Sequence, residues 1–135
     1  MTLGPMSGKL DRRVYIKESA LAGAGKGLFA KKSISKGENL PVVGILVRRN
    51  SVEDRCTRYA DAYKFRVGKF LLIPLNHTGL INHSRAPNLK KIVTGKTVHL
   101  KALRAIRAGE ELFFRYSRYA QKRFRLRADV PIKKS

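Results

Sequence analysis

Apolar residues in this chain come in short runs cut by Gly, Pro, Asn and Ser, and the most apolar of them is only Phe70-Leu71-Leu72-Ile73-Pro74-Leu75. Runs of that length between turn residues predict strands, not long helices. Val14-Tyr15-Ile16 and residues 27–33 read as a first pair around a flexible turn at 22–26, with 35–38 as the next turn. Residues 39–47 then run on as one apolar strand. Further strands are expected at 64–67, 69–73, 89–93 and 97–102, and a last core strand at 111–114, entered through a turn at 105–109. One short helix is expected over 51–62, where Ser51 is cap-like and Val52, Cys56, Tyr59 and Tyr63 fall at loose helical spacing. Strands at this density with little helix predict a mostly β fold, and no internal repeat is visible.

At 135 residues the chain suits one domain with a single core. Its one cysteine, Cys56, excludes an internal disulfide and a cysteine-based zinc site, which suits a reducing compartment. No apolar run approaches the length of a membrane span, and the first residues lack a secretion pattern, so a soluble intracellular protein without a membrane partner is expected. Thirty Lys and Arg against nine Asp and Glu give a formal charge of +21, with no carboxylate between Asp61 and Glu110. Residues 115–135 hold eight basic residues against Asp129 alone. Such a field draws in nucleic acid through phosphate neutralisation and counterion release, largely without reading sequence.

Three places carry chemistry. The glycine-rich segment Gly23-Ala24-Gly25-Lys26-Gly27 allows close backbone approach to a ligand, although alone it reads as a hairpin turn. Asn82-His83-Ser84, with Pro87-Asn88 after it, offers an amide and an imidazole in what reads as an exposed, sharply turned stretch; alone it is a structural Asn with a solvent-facing His. Tyr116, following Gly109-Glu110-Glu111-Leu112, reads alone as a buried tyrosine at a strand end. His77, His83 and His99 have no cysteine or carboxylate cluster at metal-ligand spacing, and no metal is expected.

Taken in order, these motifs resemble the SET family of protein-lysine methyltransferases. The resemblance covers roughly residues 14–119, and it implies a β-clip-like fold of small curled sheets with a threaded C-terminal segment and one or two short helices. It implies a flexible leader over 1–10, the SET domain over 11–119 and a basic tail over 120–135. It also implies a stand-alone bacterial or viral type, lacking the cysteine-rich zinc segment that closes many members. S-adenosyl-L-methionine would be the cofactor. Gly25, Lys26 and Gly27 would face its methionine end, Asn82 would hydrogen-bond its methionine portion, the His83 backbone would meet the adenine, and Ser84 and Asn88 would hold the turn. Tyr116 would be the catalytic tyrosine and Tyr63 a second one lining the lysine channel. Phe114 would set how many methyl groups fit there, and Glu110 and Glu111 would be structural, tying the threaded segment by hydrogen bonds. Tyr119 and Phe124, interleaved with basic residues, would cover the adenine or bind nucleic acid.

The implied activity is methyl transfer to a lysine ε-amine. The expected substrate is a DNA- or RNA-associated protein such as a histone or histone-like protein, reached in the nucleus, in the cytoplasm or on a bacterial nucleoid. A homodimer is also conceivable. The rival reading is an inactive SET-like basic module that binds nucleic acid or chromatin. Arg115 favours it, standing where the family commonly has an acidic residue before the tyrosine.

Overall fold

The computed structural model describes residues 11–61 and 63–116. The expected leader, the basic tail, Tyr119 and Phe124 lie outside the described residues. The first hairpin forms as expected: β1 (Val14–Glu18) pairs antiparallel with β2 (Lys26–Ala30), Val14 opposite Ala30 and Glu18 opposite Lys26. The turn between them reverses through Gly23 and Gly25 at φ of 74° and 72°, a region open to glycine because no Cβ meets the following carbonyl. Leu28, Phe29 and Ala30 are buried, and β2 carries the hairpin into the core.

The single strand expected over 39–47 is two strands in two sheets. β3 (Asn39–Val42) and β4 (Gly44–Arg48) are separated at Val43. Gly44 is the reason: a Cβ there would overlap the carbonyl of Ile73, and only glycine lets the chain press against that backbone as it changes sheet. β4 then pairs antiparallel with β6 (Phe70–Pro74), which pairs with β5 (Phe65–Val67), giving the order β4-β6-β5.

The helix expected over 51–62 is also divided, into α1 (Val52–Cys56) and a 3₁₀ turn over Arg58–Ala60. Ser51 does cap α1, its hydroxyl accepting from the Asp54 N–H at 3.2 Å. The apolar residues at helical spacing do not face the core. Val52, Cys56 and Tyr59 are exposed, while Ala60 and Asp54 are buried, the Asp54 carboxylate meeting Lys64 Nζ at 2.8 Å. Lys64 meets Asp61 at 2.8 Å as well, so this segment is docked by a buried ion network.

β8 (Leu89–Thr94) and β9 (Thr97–Ala102), both expected as strands, pair as a second hairpin, and β3 joins its far edge in the order β3-β9-β8. The last element is shorter than expected. β10 (Phe113–Phe114) runs parallel to a two-residue strand, β7 (Asn82–His83). On its other side the same segment binds β2: the Ala30 N–H donates to the Glu110 carbonyl and the Leu112 N–H to the Leu28 carbonyl, both at 2.8 Å. Residues 110–114 are thus inserted between the first hairpin and β7. Leu28, Ile81, Leu89, Leu100 and Leu112 are almost fully enclosed around them, burial that accounts for most of the drive to fold.

Candidate active site

Asn82 and His83 are not in an exposed turn. Both are buried, because strand pairing to Phe113 and Phe114 draws them under the inserted segment. Asn82 has no solvent exposure, and its amide nitrogen donates to Glu111 Oε2 at 3.1 Å and to the Lys26 carbonyl at 3.3 Å. Two acceptors at that nitrogen fix the orientation of the amide. Its Oδ1 is then left without a partner, the buried side-chain polar atom so left among the described residues. An oxygen in that state calls for a donor from beyond the described residues, a ligand or a water among them.

Glu111 joins the motifs together. Its carboxylate accepts from the Ser19 hydroxyl at 2.7 Å, from the Ala20 N–H at 3.0 Å and from Asn82, tying the entrance of the glycine turn to β7. Gly27 sits against this cluster: a Cβ there would lie 2.5 Å from Glu111 Oε2 and 3.2 Å from Asn82 Nδ2. Lys26 contributes its carbonyl, while its ammonium pairs at 3.2 Å with Glu18 on the exposed face of the hairpin. Glu110 is a turn anchor, accepting from the Arg104 guanidinium and the Arg107 N–H. Asn88 holds more than its own turn. Its amide donates to the Glu111 carbonyl at 2.9 Å and accepts from the Phe113 N–H at 2.8 Å, clamping the inserted segment. The Ser84 hydroxyl does close its turn, accepting from the Ala86 N–H at 3.1 Å.

His83 and Tyr116 interlock. His83 Nδ1 accepts the Tyr116 N–H at 2.7 Å, so the proton of the neutral ring sits on Nε2. The rings meet edge to face at 5.1 Å. The Tyr116 hydroxyl donates to the Ile81 carbonyl at 2.8 Å, and the residue is only 5% exposed. Burial first, and then the neighbouring Tyr63, push its phenol well above the ordinary tyrosine value, so it is neutral at any physiological pH. Phe114 lies between Tyr116, at 4.9 Å, and Phe65, at 5.4 Å. Tyr63 is exposed, beside Gly79 and within electrostatic reach of Tyr116. The residues singled out from sequence therefore fall into one neighbourhood, apart from the Lys26 ammonium and the two aromatics outside the described residues.

Sequence reasoning missed Ser19, which belongs to no motif; for Glu111 it implied a structural, hydrogen-bonding part but not its partners Ser19, Ala20 and Asn82.

Burial first, then Arg115 and Arg85, hold the His83 pKa below its ordinary value. Protonation would also put a hydrogen on Nδ1, where the Tyr116 N–H already points. The folded state therefore binds this proton less readily than the unfolded chain. The stability that follows is fully present above about pH 6.5 and is lost as pH falls through the folded pKa. An NMR titration is expected to find the His83 ring titrating below that value. A ring that titrates at or above it would remove this account.

The SET domain profile matches residues 25–117. A histone-lysine N-methyltransferase, H3 lysine-4 specific, from Mycosarcoma maydis is 36% identical in a match that covers 67% of this chain and 7% of that protein. The crystal structure of the Chaetomium thermophilum polycomb repressive complex 2 superposes with a TM-score of 0.68 at 28% identity, over 82% of this chain and 16% of the other. The same complex in an autoinhibited conformation bound to S-adenosylmethionine gives 0.69 at 24% identity, over 95% and 18%, a likeness of fold. This chain spans only a small part of the length of each.

Proposed function

The chain belongs to the SET-domain family, and from that premise we propose that it is a protein-lysine N-methyltransferase using S-adenosyl-L-methionine. The observation that carries the reading is the unpartnered, fully buried Asn82 Oδ1, held beside a glycine turn and a neutral tyrosine. The residues present fit the cofactor: Asn82 Oδ1 would accept from its ammonium, the backbone of Gly25, Lys26 and Gly27 would line its methionine end, and the His83 backbone would meet its adenine. When bound, that group supplies an electrophilic methyl on a sulfonium sulfur. Tyr116 cannot serve as a base near neutral pH, because its phenol holds its own proton too tightly. Its part is to position, with its hydroxyl pinned to the Ile81 carbonyl and its ring to His83. Tyr63 and Phe114 would line the channel that admits the lysine.

A lysine must lose its proton before it attacks, and at an ordinary pKa near 10.4 it is mostly charged at neutral pH. The excess of cations on this chain, +21 in formal charge, disfavours the ammonium and favours the free amine. The same field repels an isolated basic peptide. We therefore read the substrate as a protein met on nucleic acid, a histone or histone-like protein whose charge is already neutralised. The chain then works on chromatin, or on the nucleoid of a bacterium, through its basic surface.

The test is transfer of label from S-adenosyl-L-methionine into a protein extract with and without nuclease, beside thermal protection by the cofactor. Methyl-lysine is expected, and it is expected to fall after nuclease. Protection should approach ~2.7 kcal/mol at a hundredfold excess over Kd. Gly27→Ala should abolish most of that protection, because its Cβ would drive into Glu111 and Asn82. No label and no protection in the wild type, with nucleic-acid binding intact, would move the assignment to a binding module.

A further inference from the structure

Between Asp61 and Glu110 the sequence has ten Lys and Arg and no carboxylate, and four of the ten (Lys90, Lys91, Lys96 and Lys101) stand on the β8–β9 hairpin. Register places Lys90 directly opposite Lys101, both exposed. Like charges across a strand pair repel, and a free protein gains nothing from the arrangement. On the same outward face Asn39 stands opposite Lys101, Pro41 and Ile92 flank His99, and Thr94 faces Thr97. None of these can neutralise a lysine.

The described carboxylates are engaged or placed elsewhere. Asp11 and Glu38 hold Arg13, Glu18 holds Lys26, Asp54 and Asp61 hold Lys64, and Glu110 holds Arg104. Glu111 is enclosed among Ser19, Ala20 and Asn82, and Glu53 belongs to α1. The inner side of the hairpin is cationic too. Lys91 is half-buried with its ammonium on the Arg66 carbonyl at 3.1 Å, and Lys96 lies over the Phe70 ring at 4.9 Å. Desolvation, and then Arg66, hold the Lys91 pKa down, and Arg66 adds a second cation on that side.

We propose that the outward face of the β3-β9-β8 sheet is a docking surface for the phosphate backbone of double-stranded DNA, with Lys90 and Lys101 as its anchoring cations. Phosphate oxygens between the two ammonium groups would replace repulsion with attraction, and the Thr94, Thr97, Asn39 and His99 side chains add hydrogen-bonding groups of the kind that fix a backbone without reading bases. The face carries no Phe, Tyr or Trp on which unpaired bases could stack, which favours a duplex over a single strand. The choice of DNA rests on the reading above of a substrate met on nucleic acid, and the surface gives that reading a location.

The test uses the full chain and a random DNA duplex of about 20 base pairs, with affinity followed by anisotropy from about 50 to 200 mM salt. Lys90→Gln with Lys101→Gln should lower the slope of log affinity against log salt by about 2. Affinity itself should fall by about tenfold at low salt. Lys31→Gln with Lys32→Gln removes the same charge from another exposed segment and should leave the slope close to wild type. Lys101→Gln alone should raise Tm by a degree or two at low salt, since the cross-strand repulsion is gone, which also establishes that the variant folds. Equal losses in both double variants, or preference for single strands or duplex RNA, would overturn the surface. If the wild type transfers methyl groups but binds no DNA, the surface fails and the enzyme stands. DNA binding that depends on Lys90 and Lys101, in a chain without methyl transfer, supports the surface and removes the enzyme.

Discussion

Tyr116→Phe is expected to lower the turnover of methyl transfer by about 100-fold, a size typical of lost alignment at a reacting centre. The hydroxyl it removes is the one that donates to the Ile81 carbonyl at 2.8 Å, immediately before Asn82. The ring would still pack on Phe114 and His83, and the main-chain N–H would still reach His83 Nδ1. Loss of one buried hydrogen bond should cost about 1 kcal/mol of stability, so the variant stays folded. Cofactor affinity should change little, because the residues proposed to hold the methionine portion lie at Asn82 and the glycine turn. The combination separates positioning from structure: low kcat, near-normal cofactor binding by calorimetry, and a small shift in Tm. A variant with unchanged kcat would remove Tyr116 from the reaction. A loss of stability several times larger would make the tyrosine chiefly a core residue. The alkaline side of the wild-type rate profile should not report this phenol, since burial holds its proton far above the working range.

How much of this was legible in the sequence depends on how local each signal is. The strands expected at 89–93 and 97–102 both form, and they pair with each other as a hairpin, which needs only neighbours. The strand expected over 39–47 failed at Gly44, where the constraint is the approach of Ile73, nearly thirty residues away. Hydrophobicity is unchanged across the break, so period and composition were blind to it. The spacing of Val52, Cys56, Tyr59 and Tyr63 suggested one short helix; the segment is divided and held by Asp54, Asp61 and Lys64, with Tyr59 84% exposed. Asn82-His83 looked like a turn because polar residues between Gly79 and Pro87 usually make one. Its burial comes from parallel pairing with Phe113 and Phe114, and a strand of two residues has no pattern of its own.

The site was readable as three motifs in order, and less so as an arrangement. Nothing local in Glu111 announces that it receives hydrogen bonds from Ser19, Ala20 and Asn82 together. Nothing in Asn88 announces that it clamps residues 111 and 113. These are the contacts that turn separate motifs into one site, and each spans more than twenty residues of chain.

Lys64→Met should cost about 3–5 kcal/mol in urea unfolding, the usual penalty for breaking a buried ion pair from one side. Its side chain is 2% exposed, and its ammonium reaches Asp54 and Asp61 at 2.8 Å each and the Asp54 carbonyl at 3.1 Å. Methionine fills the volume and removes the charge, leaving two carboxylates side by side without their cation. Asp54 also accepts the Asn50 N–H at 2.8 Å, so the disturbance reaches the turn after β4 as well as α1. Adding Asp54→Asn to Lys64→Met should recover part of the loss, because one of the stranded charges is gone, and that recovery separates a charge effect from a packing effect. The consequence extends to the site. Lys64 stands between Tyr63, proposed to line the lysine channel, and Phe65, which stacks on Phe114. Loosening the network should therefore raise KM for the protein substrate at temperatures where the chain is still folded, while cofactor affinity holds. A single variant that loses less than about 1 kcal/mol would mean that water reaches the network and that it behaves as a surface pair. The 51–64 segment would then be held by something other than charge.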